Sequence, residues 1–305
     1  MLLIIDENSI NTRLDLFLSQ LYDGISRSKI QTAIKAGKVL INGDIKKPSY
    51  ALKFDDRVEF ENLEPDKIIE LEAQDIALEV IWEDENMAVI NKPSGMLTHP
   101  TFLETSGTLV NALLYKYGDN LSDTNGEFRR GIVHRLDRNT SGLLMIAKNN
   151  KTHEYLANII KEHKLTKKYH AVLKGFYPNE TDIISEPIGR NNANPKKMAV
   201  RPDGRPSLTK LKVLEHFANE ATYVELELVT GRTHQIRVHT SFKKHPVYND
   251  TLYGAGEGKV KTQEQVLQSF YLKFAKPFSS QIIELEIGPD EKLSKVLNYF
   301  RSRSV

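Results

Sequence analysis

The 305-residue chain contains no cysteine. Disulfides and cysteine-ligated metal sites are excluded, and the composition suits a reducing compartment. Also missing is any apolar run near the roughly 20 residues that a membrane helix needs. The opening MLLIIDENS has a short apolar run with no basic residue before it, unlike a secretory signal. The expectation is a cytoplasmic protein without a membrane partner. No fixed-period repeat or low-complexity tract occurs, and nothing marks an exposed apolar seam, so the chain reads as a monomer. Strong net charge is absent too: 42 Lys and Arg face 40 Asp and Glu, a formal +2.

The charge is unevenly placed. From Gly24 to Lys53 seven basic residues (Arg27, Lys29, Lys35, Lys38, Lys46, Lys47, Lys53) meet one acid, Asp44, whereas acids dominate from Asp55 to Asp75. A basic patch within a near-neutral chain points to a polyanion partner; a solvated lysine face accounts for the same charges. Around that patch, residues 12–60 read as a small unit. Leu14, Phe17, Leu18 and Leu21 fall at helical spacing with Thr12 as N-cap, and Ser26 caps a second helix carrying Ile30, Ala33 and Ile34, ended by Gly37. KVLI then runs into Asn42-Gly43, a hairpin-type turn, and RVEF forms a strand after Asp55-Asp56. A unit burying so little apolar surface suits binding better than catalysis.

Residues 61–75 read as an acidic linker, and the remainder as strand-rich. Two strands flank Glu83-Asp84-Glu85-Asn86. TYVELELVT alternates, with Val224, Leu226 and Leu228 on one face. KKYHAVLKG and QIIELEIG are further strands, and KTHEYLANIIKEHK a helix on Tyr155, Leu156, Ile159 and Ile160. Strands with intervening helices but no regular βα alternation indicate an α+β fold with a mixed or antiparallel sheet. The boundaries expected are 1–72 for the small basic unit and 73–305 for the strand-rich unit.

The densest polar cluster is GIVHRLDRNTSGLLMIAKN, residues 131–149, where Asp137 lies between Arg135 and Arg138 and two apolar runs flank the knot. A carboxylate held by arginine stays ionised and can serve as nucleophile, general base or electrostatic stabiliser. A surface ion pair at a turn would give the same pattern. His134 beside it suggests a general base, or a hydrogen-bonded structural histidine. His234, His239 and His245 lack metal-ligand spacing, so no metal is expected. GAGEGK, residues 254–259, mimics a phosphate loop but lacks the following Ser or Thr, and reads as a mobile loop.

Several motifs carry family resemblances. RLDLFLSQL and ISRSKIQTAIKAGKVLINGDIKKPSYALKFDDRVEF resemble the RNA-binding domain named after ribosomal small-subunit protein four, which implies that Arg27, Lys29, Lys35, Lys38 and Lys46 face RNA. HRLDRNTSGLL resembles the signature of the large-subunit (RluA/RluD) class of pseudouridine synthases. VINKPSGMLTHP, LTKKYHAVLKG and LVTGRTHQIRVH with HPVYNDTLYG resemble its companions, in the family's order, across about residues 80–254. The resemblance implies four catalytic residues: Asp137 as the essential aspartate, Arg135 as the residue that fills the gap of the displaced base, Tyr169 stacking on uracil, and Arg237 pairing with the aspartate. Ile236 is implied as an apolar contact. Alone, Tyr169 would read as a core tyrosine and Arg237 as a surface charge. Arg129, Arg130, Arg138, Lys164, Lys167, Lys168 and Arg232 would hold phosphates around the site. Asn249 stands where the family usually has glycine, and asparagine tolerates the same left-handed backbone.

The implied reaction isomerises uridine in RNA by flipping the base out of the stack. It adds and removes nothing, so no cofactor is expected. The expected substrate is large-subunit ribosomal RNA or its assembly intermediates. The alternatives are a non-catalytic RNA-binding or ribosome-assembly protein, which would not need Asp137, Tyr169 and Arg237 together, and a hydrolase built on His134 and Asp137, which lacks a recognisable oxyanion site.

Overall fold

The computed structural model describes residues 2–21, 25–60, 71–101, 103–254, 256–262 and 265–303. The chain divides into two compact units, Met1–Glu70 and Leu71–Val305.

The first unit contains β1 (Leu2–Ile4), α1 (Leu14–Leu21), α2 (Arg27–Lys35), β2 (Val39–Ile41) and β3 (Arg57–Phe60), with an antiparallel sheet in the order β1-β3-β2. Leu14, Leu18, Ile30, Ile34, Val39, Ile41, Leu52 and Val58 are fully buried together. At about 1.5–3 kcal/mol per buried aliphatic side chain, they give this unit a core of its own. Ser26 stands at the N-cap of α2 without a side-chain capping bond, and two further details depart from expectation. Thr12 does not cap α1; the amides of Leu14 and Asp15 are taken by the Tyr50 and Pro48 carbonyls at 2.8 and 3.0 Å. The Asn42-Gly43 turn forms, with φ of 54° and 83°, yet the chain does not return directly as a strand. It wanders to Asp56 before β3 pairs with β2, and β1 joins the far side of β3.

The second unit contains β4 (Glu79–Glu83), β5 (Met87–Lys92), α3 (Leu109–Tyr117), β6 (Ser141–Ala147), α4 (Asn150–Lys161), β7 (Thr166–Lys174), β8 (Thr181–Ile184), β9 (Ile188–Arg190), β10 (Met198–Val200), β11 (Thr209–Phe217), β12 (Ala221–Leu228), α5 (Gln235–Phe242), β13 (Leu267–Ala275), β14 (Ile282–Glu286) and α6 (Glu291–Arg301). The nine-stranded sheet runs β4-β5-β6-β13-β7-β12-β11-β8, with β14 also on β13. Its pairs are antiparallel apart from β6–β13. The fold is α+β, as the pattern of strands and helices implied. One face buries Ile90, Leu144, Tyr169 and Leu226 under α3 and Ile236 of α5. The other buries Val89, Met145 and Leu272 under α4, and Val172 and Tyr223 under α6. Strands β5 and β6 are covered on both sides, which explains their continuous apolar runs.

The parallel junction depends on Gly142. A Cβ there would lie 2.0 Å from the Ser269 carbonyl oxygen, at φ +111°, so only glycine lets β6 approach β13. Residues 71–75 are no free linker. Asn111 donates to the Glu72 carbonyl at 2.8 Å and the Gly107 amide donates to Gln74 at 2.7 Å. The rest of the expected linker, 61–70, lies outside the described residues.

Candidate active site

The knot around Asp137 is a loop between Gly131 and β6, pinned from beneath. Leu136 is buried in the core, and its carbonyl accepts from Thr98 Oγ1 at 2.8 Å. Ser94 Oγ donates to the Asn139 carbonyl at 2.9 Å and the Gly95 amide to the Arg138 carbonyl at 3.0 Å. Lys92, fully buried at the end of β5, sends its Nζ to the carbonyls of Pro93, Met96 and Arg138 at 2.8, 2.9 and 3.0 Å. Three acceptors are filled only by an ammonium. Burial, aided by nearby Lys292, nevertheless pushes its pKa down to about 7. Between about 7 and the ordinary lysine value the folded chain therefore binds fewer protons than the unfolded one, and stability rises with pH. Lys92→Met should remove that rise in thermal melts. By shifting the loop it should also lower kcat by up to about 100-fold with little change in KM; an unchanged kcat would uncouple Lys92 from the placement of Asp137.

Asp137 emerges above this floor. Its Oδ2 accepts from Arg237 Nη1 at 3.1 Å, and Oδ1 lies 3.8 Å from His234 Nε2. Among the described residues no donor bonds Oδ1. Arg237 sits in the first turn of α5 and is itself clamped: Nε and Nη2 donate to Asp250 Oδ2 and Oδ1 at 2.6 and 2.9 Å. The two carboxylates hold the guanidinium's pKa above its ordinary value against the opposing effect of burial. Tyr253 lies under Arg237, 5.0 Å from its ring centroid, and its hydroxyl meets His234 Nδ1 at 2.8 Å. Buried Gln235 ties the turn before α5 to β11 through Leu208 and Thr209. Tyr169, on β7, shares with Asp137, Ile236 and Arg237 a pocket of about 60 Å3. Tyr169 is 5% exposed, and burial pushes its hydroxyl pKa up, keeping it neutral.

The structure thus brings Asp137, Tyr169 and Arg237 together, with Ile236 in the wall and Arg135 at the rim. Arg135 is exposed, its Nη1 3.3 Å from His99 Nε2. Burial lowers the pKa of His99, and its Nδ1 lies 3.0 Å from the Pro100 carbonyl. His134 is not a base for this site. Its Nε2 accepts the Met145 amide at 3.0 Å, and burial, then Lys167, pushes its pKa down to about 3.

The basic residues divide. Arg232 lines the pocket, Arg129 is exposed, and buried Lys167 lies on the Tyr169 face of β7, close to Gly231. Arg138 pairs with Glu104. Lys168 is on the opposite face, paired with Glu225 at 3.0 Å; alternation along a strand separates it from Tyr169, so it does not flank the site. Arg130 is held by Glu127 and Asp119, and Lys164 by Glu162. In the first unit, Arg27 caps buried Asp15 through several bonds of 3.0–3.2 Å, and Lys46 pairs with Asp44; Lys35 and Lys38 are exposed and Lys29 half-buried. Sequence reasoning missed Asp250, Tyr253, Gln235 and Lys92. Among the described residues no group of three or more His, Asp or Glu is placed to hold a metal, and no helix is long and apolar enough to cross a membrane.

Comparison with known proteins decides the family. The RNA pseudouridylate synthase profile matches residues 86–242, more than half of the chain. The chain belongs to the RNA pseudouridylate synthase family. It is therefore an RNA pseudouridine synthase, an isomerase, and its first unit matches the S4 RNA-binding domain over residues 12–58. An RNA pseudouridine synthase of Bacillus subtilis, described as uncharacterized, is 37% identical over 97% of this chain and 96% of its own length. Ribosomal large subunit pseudouridine synthase D of Vibrio parahaemolyticus is 34% identical over 95% of this chain and 91% of its own. Among solved structures, human RNA pseudouridylate synthase domain containing 1 superimposes with a TM-score of 0.58 at 28% identity, over 74% of this synthase and 95% of that chain.

Proposed function

We propose that this synthase isomerises specific uridines in large-subunit ribosomal RNA in the cytoplasm, with Asp137 as the reacting carboxylate. The observation that carries the reading is the asymmetry of Asp137, whose side chain lines the Tyr169 pocket: Oδ2 is bonded to Arg237, and Oδ1 has no donor among the described residues. In the reaction the bond from the anomeric ribose carbon to N1 of uracil breaks, the ring turns, and C5 joins the same ribose carbon. The proton on C5 is lost and N1 gains one. Oδ1 serves whether the carboxylate attacks the ribose carbon or removes a ribose proton.

The target base must leave the stack to reach this pocket. Tyr169 offers it an aromatic face, and base–aromatic stacking contributes about 1–3 kcal/mol. Arg135, exposed at the rim, is placed to occupy the gap in the RNA, while Lys35 and Lys38 of the S4 domain, exposed Arg129, and Arg232 in the pocket lining supply phosphate contacts. The ribosomal assignment is supported by relatives such as the large-subunit synthases D. It is tested by adding the purified protein to unmodified transcripts of the two ribosomal RNAs. Pseudouridine at discrete large-subunit positions supports it; modification confined to the small-subunit transcript would assign another substrate.

A further inference from the structure

We propose that a cation-lined groove leading from Asp137 to the first turn of α6 carries the RNA strand flanking the flipped uridine, with Lys261 and Lys295 on its phosphates. This rests on the reading of the chain as an RNA-modifying enzyme acting at Asp137.

Three clefts in series make the path. The first, about 510 Å3, opens at Asp137 and Arg135 and includes Arg138, Asn139 and Thr251. The second, about 490 Å3, shares those last three and adds Lys261 and Thr262. The third, about 720 Å3, shares Lys261 and Thr262 and ends at Ser94, Lys292 and Lys295. Shared walls join the clefts into one route, and a cation stands at each stage.

The acids along it are largely occupied. Asp290 caps α6, accepting the Leu293 amide at 2.7 Å with one oxygen and the Ser141 hydroxyl with the other. Glu257 reaches Lys261 only at 3.8 Å, with both side chains highly exposed; such a pair contributes little and yields to a phosphate. Glu291 is exposed at the edge. Lys295 Nζ meets the Lys261 carbonyl at 3.2 Å and, among the described residues, no carboxylate.

The wall bearing Lys261 is built rather than loose. Asn249, buried with φ 61°, donates from Nδ2 to the Val260 carbonyl at 2.8 Å and Thr262 Oγ1 at 2.7 Å. Its Oδ1 accepts the Gly258 amide at 2.5 Å. Tyr248 Oη accepts the Val260 amide at 3.1 Å. The chain is held on both sides of Lys261, through the Val260 backbone and the Thr262 hydroxyl, while the Lys261 side chain is exposed. An elongated open route with a held chain and the exposed ammonium groups of Lys261 and Lys295 suits a polyanion strand. A compact metabolite would need enclosure and convergent polar groups. A single strand can follow the route while one base turns into the Tyr169 pocket.

The test compares Lys261→Gln/Lys295→Gln with a charge-matched control, Lys212→Gln/Lys244→Gln, both exposed and outside the groove. RNA binding is measured across a salt series and turnover on the same RNA, full-length and shortened from each end. The groove variant should raise KM about tenfold with kcat unchanged. Its log K against log[salt] should be shallower by about 1.4, because two single-strand phosphates are no longer neutralised. On RNA lacking the flank that fills the groove, variant and wild type should converge. An unchanged salt slope, or an equal loss in the control pair, overturns the groove. A changed slope with no turnover by wild type on any RNA overturns the catalytic reading and leaves the binding path standing.

Discussion

Asp137→Asn should abolish isomerisation, lowering turnover on the order of 10^4-fold or more, while the RNA still binds. Asparagine keeps the shape, and its carbonyl oxygen can still accept from Arg237 Nη1, now 3.1 Å from Oδ2. Arg237 also keeps both bonds to Asp250, so the site remains assembled. What disappears is the carboxylate that attacks carbon or accepts a proton. Removing a negative charge from a basic site should leave RNA affinity unchanged or slightly tighter. Binding by electrophoretic shift and turnover under single-turnover conditions separate the two effects. Turnover within about tenfold of wild type would remove Asp137 from its role.

Asp250→Asn should be nearly as damaging, by a different route. Asp250 is fully buried and Arg237 is 5% exposed. Neutralising Asp250 removes the buried partner of Arg237 and leaves it only the partly open Asp137, a loss of up to about 3–5 kcal/mol, which corresponds to a Tm lower by on the order of 10 °C in a unit of this size. Asp137, with its side chain partly open to solvent, cannot replace the lost clamp, and the guanidinium should turn toward it. The double variant Asp250→Leu/Arg237→Met sharpens the prediction. Replacing the whole pair by apolar groups removes the stranded charge, so calorimetry should show stability recovered relative to Asp250→Asn. Activity should stay lost, because Asp137 then has no arginine. Additive destabilisation in the double variant would contradict the clamp.

Some of this was legible residue by residue. The alternation in TYVELEL placed Val224, Leu226 and Leu228 on the core face of β12, where they are found. Helical spacing of Leu156 and Ile159 likewise located the buried stripe of α4. The same period-two rule, applied to KKYHAV, separates Lys168 from Lys167 and Tyr169; grouping the lysines by proximity in sequence overlooked it. Lys92 had a weak signal too, as a cation closing the apolar strand MAVIN. Other features had none. Asp137 and Arg237 are 100 residues apart, and only a family resemblance could join them. Asp250 stands in HPVYNDTLYG with no partner visible in the sequence, since the clamp on Arg237 exists only once α5 and the loop after it fold together. Arg27, an RNA contact by the family resemblance, also holds Asp15, 12 residues away and buried beneath it, a second role that charge counting does not see. Strand β1, three residues long, is a strand only because β3 is there to pair with it.

The measurement closest to the central claim is a map of pseudouridine in ribosomal RNA from cells lacking this synthase, then rescued with wild type or with Asp137→Asn. Specific large-subunit positions should lose pseudouridine in the deletion and regain it with wild type alone. Rescue by Asp137→Asn, or a map unchanged by the deletion, would contradict it.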